Sequence, residues 1–410
     1  MNKNIKLAVA GAVLALSASA ANAGIVIPAG DWTLDVNGNV NAYSTWVKSD
    51  GSAAMTSKGI TADAGTNARH MNSNGLLPNF LGFTGTTRQN DLDVSFTISI
   101  QPGSSHYTAL GVGADGGINN RQAFITFGDK SWGSFKVGKD LGIFASDAIL
   151  SDMTLLGVGA SAGNPGNTTL GRIGYGYIYA DWKPMIAYTT PNFNGFQATA
   201  GISQNFQATT QLAAAASASA STANASPAYE AKASYAFGAN DVTGKVWVSG
   251  IAQKTGSFAG FAMSDNNDKV AYAGDIGANV NFSGFGLTGY YYKGDGIGHQ
   301  GQGWDGYGYN NSTSTLKSRE SEGGYVQATY ILPTRTKLGV SWGVSSLDKS
   351  GGSSEVATLL KENTMTTVGL YHPLTKHLNL VAEYSNATSE NHAGAENKNN
   401  IGSLGAILFY

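Results

Sequence analysis

The chain has no cysteine and is poor in proline and in charged side chains. Among its 410 residues there are nine prolines, and Asp, Glu, Lys and Arg together make up 13%, whereas a typical soluble domain carries about 25%. The lack of thiols excludes disulfides, thiolate catalysis and most structural zinc sites. A chain of this length without cross-links must be held by packing and backbone hydrogen bonds, as a large closed sheet is.

The amino terminus is typical of a cleaved export signal. Lys3 and Lys6 precede an apolar, small-residue run over residues 7–20, and residues 21–23 (Ala-Asn-Ala) form a cleavage site, so we expect the mature chain to begin at Gly24. An uncleaved anchor is the alternative, but the run is too short for a spanning helix. Removing the signal leaves 23 basic and 27 acidic residues, a net charge of −4. This balance, with no Lys/Arg run, argues against a nucleic-acid partner.

Beyond the signal, no apolar stretch reaches the roughly 18 residues that a transmembrane helix needs. Instead, apolar and polar residues alternate, most clearly over residues 31–46, 91–101, 270–282 and 337–345. Runs of this length with one apolar face predict tilted strands that cross a bilayer. A soluble sandwich has the same period, but strand length, aromatic strand ends and the export signal favour a barrel.

The predicted connections alternate between short and long. Seven short turns are expected near residues 89–90, 128–132, 192–194, 239–240, 283–284, 333–334 and 373–376. Eight long, polar loops are expected at 49–75, 102–118, 141–182, 207–226, 255–267, 295–321, 348–361 and 391–400. This count predicts an all-β, transmembrane antiparallel β-barrel of about sixteen strands, whose lumen is wide enough for water. In the last strand, Leu404, Ala406, Leu408 and Tyr410 are expected to face lipid.

Three passages resemble the Gram-negative general porin family. Residues 121–128 (RQAFITFG) with 132–139 (WGSFKVGK) resemble the hairpin before the family's constriction loop, 191–196 (PNFNGF) its following turn, and 407–410 (ILFY) its aromatic carboxyl terminus. The resemblance implies a single barrel domain over residues 24–410 in the outer membrane, with the third external loop, 141–182, folded into the lumen. It further implies homotrimers, contact with membrane lipids and lipopolysaccharide, and passive diffusion of ions and small hydrophilic solutes.

The resemblance also implies a pore constriction. By match to the family's strand-end Gly-Arg, Lys139 is expected on its wall, opposite the loop acids Asp147 and Asp152; lysine in place of arginine is a departure, because an ammonium cannot reproduce a rigid guanidinium ladder. An acidic loop facing a basic wall sets a transverse field across a narrow pore. The alternative is that these charges are ordinary solvated side chains. Further candidates for the constriction are Asp140, Arg88, Arg121 and Lys136.

Other motifs have simpler interpretations. Residues 339–343 match the G-x-S-x-G of hydrolases, but they lie in an alternating strand rather than at a strand-to-helix elbow. The aromatic residues Tyr290–Tyr292, Trp32, Trp46 and Trp342 fit a membrane-interface girdle better than a sugar-stacking surface. The six histidines show no metal-ligand spacing, so neither a metal nor another cofactor is predicted.

Three functions stay open on the sequence. The leading hypothesis is a diffusion porin without enzymatic activity. The second is a porin tuned to one solute class, suggested by Trp304, Tyr307 and Tyr309 in an external loop and by lysine in the constriction. The third is an outer-membrane adhesin or enzyme on a barrel scaffold, for which neither a passenger domain nor a Ser/His/acid set is evident.

Overall fold

The structure is a computed structural model that describes residues 24–57, 59–60, 68–104, 118–160, 167–210, 219–220, 226–256, 269–310, 312–351 and 355–410. The expected export signal and parts of several long loops lie outside the described residues.

The described chain is almost entirely β-structure. Its strands, in chain order, are β1 Ile25–Ala29, β2 Trp32–Asp50, β3 Ala68–Ser73, β4 Phe80–Gln89, β5 Leu92–Pro102, β6 Ile118–Asp129, β7 Gly133–Leu141, β8 Trp182–Thr189, β9 Phe196–Ser203, β10 Thr209–Thr210, β11 Ser219–Ala220, β12 Ala228–Ala239, β13 Val242–Lys254, β14 Val270–Phe282, β15 Phe285–Asp295, β16 Tyr307–Asn310, β17 Thr315–Ser318, β18 Glu320–Ile331, β19 Lys337–Leu347, β20 Leu360–Pro373, β21 Leu378–Asn391 and β22 Glu396–Phe409. One α-helix, α1 Ser146–Leu150, and a 3₁₀ turn, Met153–Leu156, lie between β7 and β8.

Sixteen of these strands form a closed antiparallel barrel, which confirms the predicted count. Each pairs with the next along the chain, and β22 closes the sheet by pairing with β2 from Asn39–Phe409 to Asp50–Lys398. The short β1 pairs with the start of β2, on the same side of β2 as β22. On the other side of β2, β4 pairs with its first half and β3 with its second half. The remaining short strands form two separate pairs, β10–β11 and β16–β17.

The tight turns lie at one end of the barrel, within a residue or two of their predicted positions. Asn90 and Asp91 take positive φ values of 50° and 61°, as do Ser283 and Gly284 at 48° and 83°. Two consecutive left-handed residues make the turn whose twist matches that of the flanking strands, and Asn, Asp and Gly tolerate this conformation best. The other end of the barrel carries the long connections and is called the loop end below.

The two faces of the strands differ as the alternation predicts. On β5, Ile98 and Ile100 are 50% and 38% exposed, whereas Ser99 and Gln101 are 0% and 1% exposed. Apolar side chains thus point outward and polar ones inward, the reverse of a soluble barrel and the pattern of a sheet surrounded by lipid. Leu404 and Leu408 lie on the outer face as predicted. Among the described residues, no helix has the length and apolarity needed to cross a membrane.

Two predicted loops are shorter than expected. Within 49–75, β3 is paired with β2, and at 391–400 the chain turns over residues 392–395 alone, where Asn391 Oδ1 accepts hydrogen bonds from the amides of Ala393 and Ala395. These strand ends project beyond the apolar band and are polar on both faces, as with the inward Asn397 and outward Lys398. Without apolar alternation, the sequence pattern there is that of a loop.

Candidate functional site

The connection between β7 and β8, residues 142–181, folds into the barrel and is called the inserted loop. Phe144, Val158 and Tyr177 of this loop are all 0% exposed. Its backbone crosses to the opposite side of the lumen, where the amide of Met153 donates to Gln327 Oε1 of β18 at 2.7 Å. The loop therefore narrows the channel by packing against the inner wall.

Two wall carboxylates hold the inserted loop by its backbone. Glu230 of β12 accepts from the consecutive amides of Ile143 and Phe144, at 2.8 and 2.9 Å. Glu383 of β21 accepts from the consecutive amides of Val158 and Gly159, at 2.7 and 2.9 Å. Charge-assisted bonds of this kind are about twice as strong as neutral ones. The loop is thus clamped where it leaves its own strand and again at the far wall.

Inward-facing tyrosines add a second set of tethers. The hydroxyl of Tyr325 donates to Ala148 O at 2.8 Å, and that of Tyr43 donates to Leu156 O at 2.6 Å. Tyr290 and Tyr292 are also buried in the interior cluster that packs against the loop. The girdle interpretation was wrong for these two residues, because they occupy inward positions of β15.

The girdle interpretation fits other aromatic side chains. Trp46 and Trp342 point outward and are 49% and 47% exposed. Tyr291, between the two inward tyrosines, is also outward and 46% exposed. Alternation on the strand thus divides neighbouring aromatics between the lipid face and the lumen.

An acid of the inserted loop faces two basic residues of the wall. Asp147 in α1 forms an ion pair with Lys232 of β12 at 2.8 Å and a second with Lys245 of β13. Burial alone would raise the pKa of Asp147, but the two ammonium groups lower it below its usual value. The aspartate is therefore ionised at neutral pH, and a charged contact joins the loop to the wall.

The second predicted loop acid, Asp152, organises the loop itself. Its carboxylate accepts from the amide and hydroxyl of Thr154, at 2.9 and 2.6 Å, and from the hydroxyl of Tyr177 at 2.9 Å. The buried Arg172 lies 3.9 Å from it and donates to the backbone oxygens of Ser341 and Met365 at 3.3 and 3.1 Å. Asp152 thus caps the 3₁₀ turn, and its side chain is buried beside the cavity described below.

The structure places Lys139 on the outer face of the barrel, contrary to the prediction. It pairs in register with the outward Ala123 and Pro184, and its ammonium donates to Asn120 O at 2.8 Å. The inward positions of the same strand are Lys136 and Asp140, which form an ion pair with each other. The family match located the end of the strand but not which of its residues face inward, since a shift of one residue exchanges the two faces.

The other candidates for the constriction, Asp140, Arg121 and Arg88, lie in three different places. Asp140 also accepts from Gln122 at 3.0 Å and is buried in the wall. Arg121 lies beside the inserted loop and donates to Asn167 at 3.4 Å. Arg88 lies instead at the tight-turn end, where it pairs with Asp93 at 2.8 Å and Asp129 at 2.9 Å. The structure therefore does not bring Arg88 to the inserted loop.

The basic side of the site and both carboxylate clamps were missed by sequence reasoning. Lys232 and Lys245 sit at inward positions between outward apolar neighbours such as Ala233 and Val246. Glu230 and Glu383 occupy inward positions of the same kind. The alternation of inward and outward positions was the available signal. It does not select these four residues, because most inward positions of such a strand are polar.

A second connection, residues 296–319, packs on the inserted loop from the loop end and is called the cap loop. The amide of Tyr179 donates to Gln300 O at 2.8 Å, and Gln302 Nε2 donates to Ala180 O at 3.0 Å. Tyr307 and Tyr309 are buried within the cap loop. These two do not face solvent as the hypothesis of an external solute contact requires, whereas Trp304, the third aromatic residue of that hypothesis, is 36% exposed.

Open space remains on the tight-turn side of the inserted loop. A cavity of about 620 Å³ lies between this loop and the inner faces of β13 to β19. Asp147, Asp152, Lys245 and Lys337 all line it. Charges of both signs therefore border the space that a solute would cross, with Asp147 and Lys245 in direct contact.

A closed, sixteen-stranded barrel with an apolar outer face and a charged, loop-narrowed lumen defines an outer-membrane channel. The chain belongs to the Gram-negative porin family, whose sequence model matches residues 9–392. It is accordingly a passive diffusion channel of the outer membrane.

Solved structures agree with this fold. The outer-membrane channel DcaP of Acinetobacter baumannii aligns with a TM-score of 0.68 at 16% identity, over 95% of this chain and 100% of that one. OmpF of Salmonella typhi, in complex with daunomycin, gives 0.56 at 14% identity over 94% and 100%. A trimer form of OmpT from Vibrio cholerae gives 0.54 at 12% over 92% and 99%. Among curated proteins, the search finds no significant match.

Proposed function

We propose that the protein is a weakly selective, homotrimeric porin whose constriction is the open space beside the inserted loop, bordered by Asp147 and Asp152 of the loop and by Lys245 and Lys337 of the wall. The ion pairs of Asp147 with Lys232 and Lys245 carry this proposal. They fix where negative charge stands on the loop and where positive charge stands on the wall. Water and polar solutes align in such a field, whereas apolar solutes must disrupt it.

The proposed activity needs no chemical step. Passage of a small hydrophilic solute down its gradient requires a wet path and weak contacts along it, and no bond is made or broken. Ser341, the residue at the centre of the hydrolase-like motif, is 1% exposed within β19, and its hydroxyl donates to Val326 O at 3.3 Å. It is a wall residue rather than a nucleophile at a strand-to-helix elbow.

The proposal includes maturation and assembly. Residues 1–23 are removed on export, and residues 24–410 form one domain that meets lipid, lipopolysaccharide and two further copies. Support for a protein contact comes from a cluster of three polar side chains on the outer face. Ser44 Oγ lies 2.7 Å from His70 Nε2 and donates a hydrogen bond to Asn72 at 2.8 Å. Polar side chains in a lipid-facing band are costly unless protein or water covers them.

Planar-bilayer recording of the mature protein tests this proposal. The expected result is a large ohmic conductance that appears or closes in steps of three, with a reversal potential in a salt gradient that shifts when Asp147→Asn removes the loop charge. Glu322→Gln, the same change at an exposed site on the outer face of β18, is the matched control. A correctly folded, heat-modifiable barrel that does not conduct would refute the diffusion-channel proposal.

A further inference from the structure

Lys337, at the start of β19, differs from the other lysines that face the lumen. Within the part of the chain that the structure describes, four inward lysines each contact a carboxylate: Lys136, Lys183, Lys232 and Lys245. Lys337 makes no ion pair there, and its ammonium lies 4.8 Å from the ring centroid of Tyr371. It borders the 620 Å³ cavity below the inserted loop. The cavity thus contains a cation whose charge no neighbouring acid contacts.

The same cavity has an apolar side. Leu150 and Leu156 of the inserted loop and Leu77 line it, and each is partly exposed. Ile331 lies at an inward position at the end of β18, lines the cavity and is 51% exposed. Aliphatic side chains left exposed in a water-filled passage favour contact with the apolar part of a solute.

The acids that line this space are already engaged. Asp147 has two ammonium partners, and Asp152 accepts from Thr154 and Tyr177 and lies beside Arg172. The third lining acid, Asp241, belongs to the exposed turn at the rim. A cationic solute would therefore compete with bonds that exist, whereas an anionic solute would give Lys337 its first carboxylate.

We propose that this cavity is a subsite for organic anions that carry one carboxylate on an aliphatic or aromatic body. The carboxylate contacts Lys337, and the body lies against Leu150, Leu156 and Ile331. One unpaired ammonium beside an apolar surface fits a monocarboxylate better than a sugar, which has no apolar end, or a dicarboxylate, which needs a second cation. The inference rests on the proposed function, because a solute reaches the cavity only through a conducting channel.

The test measures interruption of the potassium chloride current by straight-chain carboxylates from acetate to octanoate. Affinity is expected to rise by up to about fourfold for each added methylene, as the body covers apolar surface. Hexanamide keeps an acceptor oxygen but lacks the negative charge, and hexylammonium repels Lys337. Both are expected to bind at least about tenfold more weakly than hexanoate, since the carboxylate–ammonium attraction is lost.

Variants assign the effect to the subsite. Lys337→Gln is expected to weaken hexanoate binding about tenfold or more, and Lys337→Arg to preserve it. Ile331→Ser is expected to flatten the dependence on chain length. Lys139→Gln, which makes the same charge change on the outer face, should leave the affinity unchanged, and heat-modifiable mobility confirms that each variant folds.

The possible failures are distinct. If the wild-type barrel carries no current in potassium chloride, the proposed function is wrong and the subsite falls with it. If the channel conducts but hexanoate binds no more tightly than hexylammonium or hexanamide, the inference alone is overturned. The same conclusion follows if Lys337→Gln and Lys139→Gln give equal affinities.

Discussion

Replacing Glu383 tests what holds the inserted loop across the lumen. One carboxylate oxygen accepts from the amides of Val158 and Gly159, at 2.7 and 2.9 Å, and the other accepts from the hydroxyl of Tyr371 at 2.6 Å. The side chain is 6% exposed, so water does not readily replace these bonds. Glu383→Ala therefore leaves two buried amides and a hydroxyl without an acceptor.

The expected magnitude follows from the number of bonds. A buried donor left unpaired costs about 1–3 kcal/mol, so the two amides together lose ~3 kcal/mol of local stability in Glu383→Ala. Glu383→Gln keeps one acceptor oxygen for the amides, and its NH₂ can donate to Tyr371; the loss is then that of charge assistance, ~1.4 kcal/mol. The alanine variant should thus open the loop far more often than the glutamine variant.

Hydrogen exchange of the Val158 and Gly159 amides measures this opening directly. Each 1.4 kcal/mol of local stability corresponds to about a tenfold change in the exchange rate when the loop recloses faster than an open amide exchanges. Protection should fall about 100-fold in Glu383→Ala and about tenfold in Glu383→Gln. In bilayer recordings the same variants should show larger open-channel noise, because a released loop changes the width of the path.

A second perturbation reaches the same contact from the loop side. A Cβ at Gly157 would lie 2.0 Å from Glu383 Oε1, so Gly157→Ala must displace the carboxylate and should also raise exchange and noise. Glu322→Ala on the outer face is the control and should change neither. If Glu383→Ala keeps wild-type protection at both amides, the clamp does not hold the loop and the reasoning fails.

Three further predictions concern charges at the lumen and its cap. Asp147→Asn should move the reversal potential toward anion selectivity and Lys245→Gln toward cation selectivity; equal shifts of the same sign would contradict the transverse field. Burial lowers the pKa of His299 in the cap loop to about 4. The cap loop therefore keeps its full stability above pH 6.5 and loses up to ~3 kcal/mol as the pH falls toward 4. Hydrogen exchange of cap-loop amides that does not depend on pH over that range would refute this. Arg319→Gln leaves the buried Glu355, its partner at 3.0 Å, without a counter-charge. The loss should destabilise the cap loop by ~3 kcal/mol and make proteolysis of residues 296–319 faster. An unchanged cleavage rate would exclude a role for the pair.

The barrel follows from the sequence because lipid imposes a strict rule on half of each strand. Every second residue must be apolar where the sheet meets hydrocarbon, as with Leu92, Val94 and Phe96 of β5, and every backbone group must find a partner in a closed sheet. Turn residues add a second rule, since only a few types tolerate positive φ at positions such as Asn90. Together they define strand number, faces and the tight-turn end.

The constriction is less predictable because its partners are distant in the chain. Glu383 meets amides 225 and 224 residues away, and Glu230 meets amides 87 and 86 residues away. No local pattern selects these carboxylates from the other polar residues of the inner face. Asp147 was predictable only as an acid on a loop expected to fold inward, whereas its cations depend on which strands the loop crosses.

The wrong prediction for Lys139 shows where the alternation of apolar and polar residues does not identify the outer face. Over residues 136–141 the strand carries Lys136, Lys139 and Asp140 with a glycine between the two lysines, so neither parity gives a consistent apolar face. The register settles the question, because Lys139 lies beside Ala123 and Pro184 on the outer face. An ammonium there needs backbone or water contacts, and Asn120 O supplies one at 2.8 Å.

The arrangement of the lumen separates two tasks that a channel must perform together. The inserted loop is held largely by its backbone, through Glu230, Glu383 and the tyrosine hydroxyls. Asp147 and Arg172 add side-chain bonds from the loop to the wall. The other side chains that the loop presents to the path are free to set selectivity. In this channel the clamps maintain the opening, and the charges and aliphatic surface beside it select what passes.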